Sequence, residues 1–123
     1  YGSYGESVMS LSMPGADGNE RMREIMERLR ENAPATLGGD SVVSVRDYLK
    51  GTVTDLVTGK TEPTGLPSSD VLYYTTRAAV TVFRPSGTEP KIKVYFMAKG
   101  ENSGAVSEKL AACRADAGKL LGK

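Results

Sequence analysis

The feature that most restricts this fold is a run of three β-forming segments between positions 70 and 98. Val71-Leu72-Tyr73-Tyr74 is the first, Ala79-Val80-Thr81-Val82-Phe83 the second and Ile92-Lys93-Val94-Tyr95-Phe96-Met97 the third. β-Branched and aromatic side chains crowd all three, which suits a pleated, half-buried surface. The short gap Thr75-Thr76-Arg77-Ala78 predicts a hairpin. In the third segment, period two places Ile92, Val94 and Phe96 on one face and Lys91, Lys93 and Tyr95 on the other. Such a sheet has one face for a core and one for solvent or a ligand.

Two helices can supply the cover. Residues 17–32 open with Asp17 as a cap, and Glu20 stands three residues on, as in a capping box. Met22, Ile25, Met26 and Leu29 then fall on one stripe, and Pro34 follows as a stop. The methionine pair would also suit an adaptable partner-binding face. The stripe has the width of one buried face, which favours core packing. Residues 103–121 carry a second stripe of Val106, Leu110, Cys113, Ala117 and Leu120, with Gly122 as the terminator. On that stripe Cys113 reads as a small buried hydrophobe rather than a reactive thiol.

The remaining segments are weaker. Met9, Leu11 and Met13 alternate with Ser10 and Ser12, predicting a strand over 6–13 that Pro14-Gly15 breaks, although Val8 is off the pattern. Residues 41–46 suit a short strand, and Tyr48-Leu49 a following turn of helix. Thr52-Val53-Thr54 and Leu56-Val57 have strand propensity, but 58–69 is turn chemistry throughout. A flexible loop is therefore expected over 50–69. An interdomain linker is disfavoured, because neither side is long enough to bury a core alone. The order strand, helix, several strands, helix predicts an α+β fold in which an antiparallel sheet of about 4–6 strands carries two helices packed on one face.

Composition narrows function mainly by exclusion. A chain of 123 residues is expected to form a single domain, 1–123. It contains no His, which removes a His base, a Ser-His-Asp triad and His metal ligands. One cysteine can make neither an internal disulfide nor a thiolate cluster. Sixteen basic against fifteen acidic residues give no support to a nucleic-acid or membrane-surface partner. No apolar run reaches membrane-spanning length and no signal peptide is visible. The first residue is Tyr1 rather than Met, so a piece of a longer protein is expected.

One segment concentrates chemistry: Arg84-Pro85-Ser86-Gly87-Thr88-Glu89-Pro90-Lys91-Ile92-Lys93. Gly87 permits φ > 0 and close approach of backbone N–H groups to an anion. Ser86 and Thr88 offer hydroxyl donors on either side of it. Arg84 offers a planar fork matched to two phosphate oxygens. Pro85 and Pro90 restrict the ends of the connection. Lys93 shares a face with Lys91 and delivers a cation close to the loop. Glu89 would repel a phosphate, so it points away, pairs with a cation or meets a sugar hydroxyl. From the residues alone, an anion site and a plain hairpin connection with solvated charges both stand. No helix follows the loop, so it is neither a P-loop nor a dinucleotide fingerprint.

The stretch from Arg84 to Tyr95 closely resembles the phosphate-binding loop in the last domain of the α-D-phosphohexomutases: phosphoglucomutases, phosphomannomutases and phosphoglucosamine mutases. Tyr1-Gly-Ser-Tyr-Gly5, Asp17-Gly18 with Met22 and Ile25-Met26, and Val42-Val43-Ser-Val45 with Asp47-Tyr48-Leu49 resemble the C-terminal part of the phosphoglucomutase/phosphomannomutase branch. The likeness covers nearly the whole chain and is weakest over 50–69.

The resemblance implies a four-domain enzyme with Mg²⁺ and a phosphorylated serine in its first domain. That enzyme moves a phosphoryl group between the 1- and 6-positions of a hexose through a hexose 1,6-bisphosphate. It also implies that the last domain is folded like the TATA-box-binding protein and holds the phosphate not being transferred. Carried onto this chain, the phosphate ligands are Arg84, Ser86, Gly87, Thr88 and Lys93. Lys93 stands where relatives often have Arg, which keeps the charge but loses the bidentate fork. Lys91 and Glu89 are supporting or sugar contacts. The Ser-His-Asn-Pro, Asp-Gly-Asp-Gly-Asp and Gly-Glu-Glu-Ser-Gly loops of the family do not occur here. No catalytic or metal-binding residue and no cofactor is therefore expected in this chain, and alone it is expected to be inactive. The implied partners are a phosphosugar and the upstream domains of one polypeptide, in the cytoplasm. A stand-alone phosphosugar- or anion-binding module is the alternative.

Overall fold

The computed structural model describes residues 3–12, 17–31, 34–49, 51–65, 71–85 and 91–120. The elements run β1 (Ser3–Ser12), α1 (Gly18–Glu31), β2 (Thr36–Leu37), β3 (Asp40–Asp47), β4 (Thr52–Asp55), β5 (Thr61–Pro63), β6 (Leu72–Thr76), β7 (Ala79–Pro85), β8 (Lys91–Gly100) and α2 (Ser103–Leu120). Every recorded strand pairing is antiparallel, in the order β1-β8-β7-β6-β3-β4-β5, with β2 on β3 beside that path. The α+β architecture is as expected, but the sheet has eight strands rather than 4–6.

Alternation along β1, β6, β7 and β8 splits these strands between two faces. Leu72, Tyr74, Phe83, Ile92, Val94 and Phe96 form the covered face and are at most 1% exposed. Onto them pack Met26 and Leu29 of α1 and Val106, Cys113 and Ala117 of α2. Met22, Ile25, Leu110 and Leu120 line the margins of the same core, so the methionines of α1 are core residues. Tyr74 meets Phe83 edge-on, with ring centroids 5.7 Å apart. Its hydroxyl donates to the Leu29 carbonyl at 3.0 Å, giving a buried phenol a partner in the last turn of α1.

Polar links fix the helices at their ends. The Arg30 guanidinium meets Asp47 at 2.8 Å where both are nearly buried, tying α1 to β3. Asn102 Oδ1 accepts the Ala105 N–H at 2.9 Å and caps α2. Lys109 of α2 donates to the Gly38 carbonyl and to Asp40, while the Gly38 N–H donates to Asp116. Gly38 adopts φ +63°, and a Cβ there would lie 2.6 Å from Cys113 Sγ. Glycine is thus required at that turn both by conformation and by space.

Several boundaries depart from expectation. β1 begins at Ser3 rather than residue 6, and Met13 lies outside the described residues. Val8 escapes the apolar alternation because it belongs to the open face, where it is 53% exposed. Tyr48-Leu49 is no helical turn: Asp47 Oδ1 accepts the Leu49 N–H at 3.1 Å and closes a local turn. The stretch 50–69, expected as a loop, contains the β4–β5 hairpin, in which Val53 pairs with Glu62 and Thr54 with Thr61. Its turn is organised by Asp55, whose carboxylate accepts from Val57 and Thr58 while its carbonyl accepts from Gly59.

Candidate anion-binding site

The face of the sheet away from the helices is built by register. Ser10 of β1 pairs with Lys93 of β8, and Lys93 pairs with Arg84 of β7, so the three residues form one row across the sheet. Ser12 pairs with Lys91 two residues along. Side chains in directly opposed pairs stand about 5 Å apart at Cβ. Positions two apart on one strand are separated by about 6.6 Å. Arg84, Lys93 and Lys91 therefore gather at the end of the sheet where the 86–90 connection joins β7 to β8.

This arrangement breaks a local rule. Like charges placed directly opposite across a ladder destabilise it. Arg84 and Lys93 are nevertheless opposed, both are exposed, and among the described residues neither is paired with a carboxylate. Natural proteins break such local rules at functional or strained sites. An anion at this end of the sheet would relieve the repulsion.

The structure thus brings together Arg84 and Lys93, with Lys91 adjacent. Ser86, Gly87, Thr88, Glu89 and Pro90 lie outside the described residues. Ser10 and Ser12 were not singled out from sequence as site residues, yet their register sets two hydroxyls beside the lysines. Their signal was the alternation on β1, which fixes a face but not a neighbour.

Beside Arg84 the open face forms a shallow depression of about 340 Å³. Val8, Val71, Val82 and Tyr95 line it, and Glu6 closes the far end. A wider depression of about 700 Å³ lies at the other end of the sheet, among Val43, Val53, Val57 and Lys60. There Asp55 and Glu62 outnumber the single lysine, a balance that disfavours an anion.

Cys113 is 1% exposed in the core. Burial pushes its thiol above the ordinary range, which suppresses the reactive thiolate. Among the described residues no three acidic or thiol groups gather as a metal site requires.

No protein-family model matches the chain. Similar curated proteins are named phosphoglucomutase. The one from Staphylococcus saprophyticus is 31% identical over 111 residues, covering 90% of this chain and 20% of that protein. The one from Staphylococcus aureus strain bovine RF122 is 32% identical over 109 residues, covering 89% and 20%. The one from Staphylococcus epidermidis is 28% identical over 109 residues with the same coverage. The chain therefore spans about a fifth of the length of these relatives. No helix among the described residues is long and apolar enough to cross a membrane.

Proposed function

We propose that this chain is the substrate-phosphate-binding domain of a phosphohexomutase of the phosphoglucomutase/phosphomannomutase branch. The observation that carries this reading is the opposed Arg84–Lys93 pair, which brackets Ser86-Gly87-Thr88 in a chain whose relatives are named phosphoglucomutase. Arg84 grips two phosphate oxygens, Lys93 adds a point charge, and the Ser86-Gly87-Thr88 segment supplies hydroxyl and backbone donors. Lys91 contributes to the field, and Glu89 meets a cation or a sugar hydroxyl.

In the whole enzyme this domain holds the phosphate that stays in place. Its binding energy comes from a group remote from the reacting centre and goes into orienting the hexose. The phosphoserine, the Mg²⁺ and the sugar-reading loop belong to the rest of the longer protein. That protein interconverts hexose 1-phosphate and hexose 6-phosphate through the 1,6-bisphosphate. The chain alone binds but does not turn over.

Titrating glucose 1-phosphate, glucose 6-phosphate and glucose into the chain, with backbone amide shifts as the readout, tests the assignment. Both phosphates should move the amides of residues 84–93, and glucose should not. Arg84→Ala should weaken phosphate binding about tenfold or more, the loss expected for a charged hydrogen-bonding partner. Unmoved amides at 84–93, or parental affinity in Arg84→Ala, would sink the reading.

A further inference from the structure

The two edges of the sheet are protected very differently. β5 is three residues long, fully exposed and ends in Pro63, the usual way of blunting an edge. β1 is ten residues long, contains neither Lys nor Pro, and pairs with β8 in unbroken register from Ser3↔Gly100 to Ser12↔Lys91. Among the described residues no strand lies on its outer side.

The direction of its outer hydrogen-bonding groups follows from one bond. The Lys99 N–H donates to the Ala78 carbonyl at 2.9 Å, so the odd-numbered residues of β8 turn their backbone toward β7. In an antiparallel ladder the intervening even-numbered residues then turn toward β1. Because Tyr95 is one of the odd residues and pairs with Val8, Val8 faces outward from the sheet. Tyr4, Glu6, Ser10 and Ser12 share that orientation. Their N–H and C=O groups make an edge able to accept another strand.

Arg114 of α2 reaches over this edge at its midpoint. Its guanidinium donates to the Val8 carbonyl at 3.0 Å and to Ser7 Oγ at 2.6 Å. An incoming strand must approach the Val8 carbonyl along the edge where the guanidinium already stands, so the two compete for the same space beside it.

We propose that β1 is a self-pairing edge held closed by Arg114, and that its occupant when Arg114 is removed is β1 of a second copy of this chain. The pairing is antiparallel and centred on Val8. Val8 meets Val8, Glu6 meets Ser10 of the second copy, and Tyr4 meets Ser12. Charge favours this occupant. Glu6 then lies in the same row as Ser10 and Lys93 of the second copy, twice by symmetry, and no like charges are opposed.

Sedimentation and hydrogen exchange of the whole chain test this. The parent chain should run as a monomer. Arg114→Ala should shift toward twice the chain mass as concentration rises, with exchange slowed at the N–H groups of Glu6, Val8 and Ser10. Adding Glu6→Lys should return it to monomer. If Arg114→Ala loses its circular dichroism, Arg114→Gln, which keeps a helix-forming residue, is read the same way. A folded Arg114 variant that stays monomeric overturns the proposal, as does a dimer whose outward β1 amides exchange at the parental rate.

Discussion

Phe83 and Arg84 are neighbours in β7, and they answer to opposite demands. Phe83 lies on the face covered by α1 and α2 and is fully buried. Arg84 lies on the open face, exposed, directly across from another cation. The same contrast runs along β8, where Ile92 and Val94 are buried between Lys91, Lys93 and Tyr95. Stability is concentrated on one side of the sheet, which lets the other side carry a charge arrangement that costs stability and suits a ligand.

Substitutions on the covered face should break this contrast most strongly. Phe83→Ala removes a core ring packed edge-on against Tyr74 and should cost about 3–5 kcal/mol, read from the urea midpoint. Asp47→Ala removes the carboxylate that meets the nearly buried Arg30 guanidinium and should cost about 3 kcal/mol by the same measurement. The Tyr74 phenol is pushed well above its ordinary range, chiefly by burial. Stability should therefore hold up to the ordinary tyrosine range near pH ~10. Above it, the unfolded chain releases the proton while the folded chain retains it, and stability should fall. Tyr74→Phe should flatten that alkaline decline while costing about 1 kcal/mol at neutral pH for the lost bond to Leu29. On the open face, Arg84→Ala should change stability by less than about 0.5 kcal/mol while showing the roughly tenfold loss of phosphate affinity proposed above. Equal destabilisation by Phe83→Ala and Arg84→Ala would erase the distinction between the faces.

Legibility in the sequence followed the same division. β6 and β7 were readable from their density of β-branched and aromatic residues, and β8 also from its period-two alternation, which a one-sided core imposes. The stripe of α1 was readable for the equivalent helical reason. β5 was not: Thr61-Glu62-Pro63 is exposed throughout and contains no core residue to set a period. It exists because Asp55 shapes the preceding turn and β4 supplies a register. β2 was missed because two residues carry no periodicity. For the site, the faces of Arg84, Lys91 and Lys93 could be read from alternation. That Arg84 opposes Lys93, or that Ser10 and Ser12 flank the lysines, depends on register between strands far apart in the chain. Alternation within one strand does not contain that information.

The pairing of β1 with β8 has a consequence for how the molecule assembles. Even the nearest paired residues, Ser12 and Lys91, are separated by α1 and six strands. Closing so long a loop costs chain entropy before any contact between the two strands compensates it, so this pairing belongs to the slow, non-local part of folding. During synthesis β1 emerges well before β8 and must wait for it. Throughout that interval Met9 and Leu11 lack the covered sheet face they later help to complete. Synthesis, more than the finished fold, is where this strand is vulnerable to premature association, and where a chaperone would have most to protect.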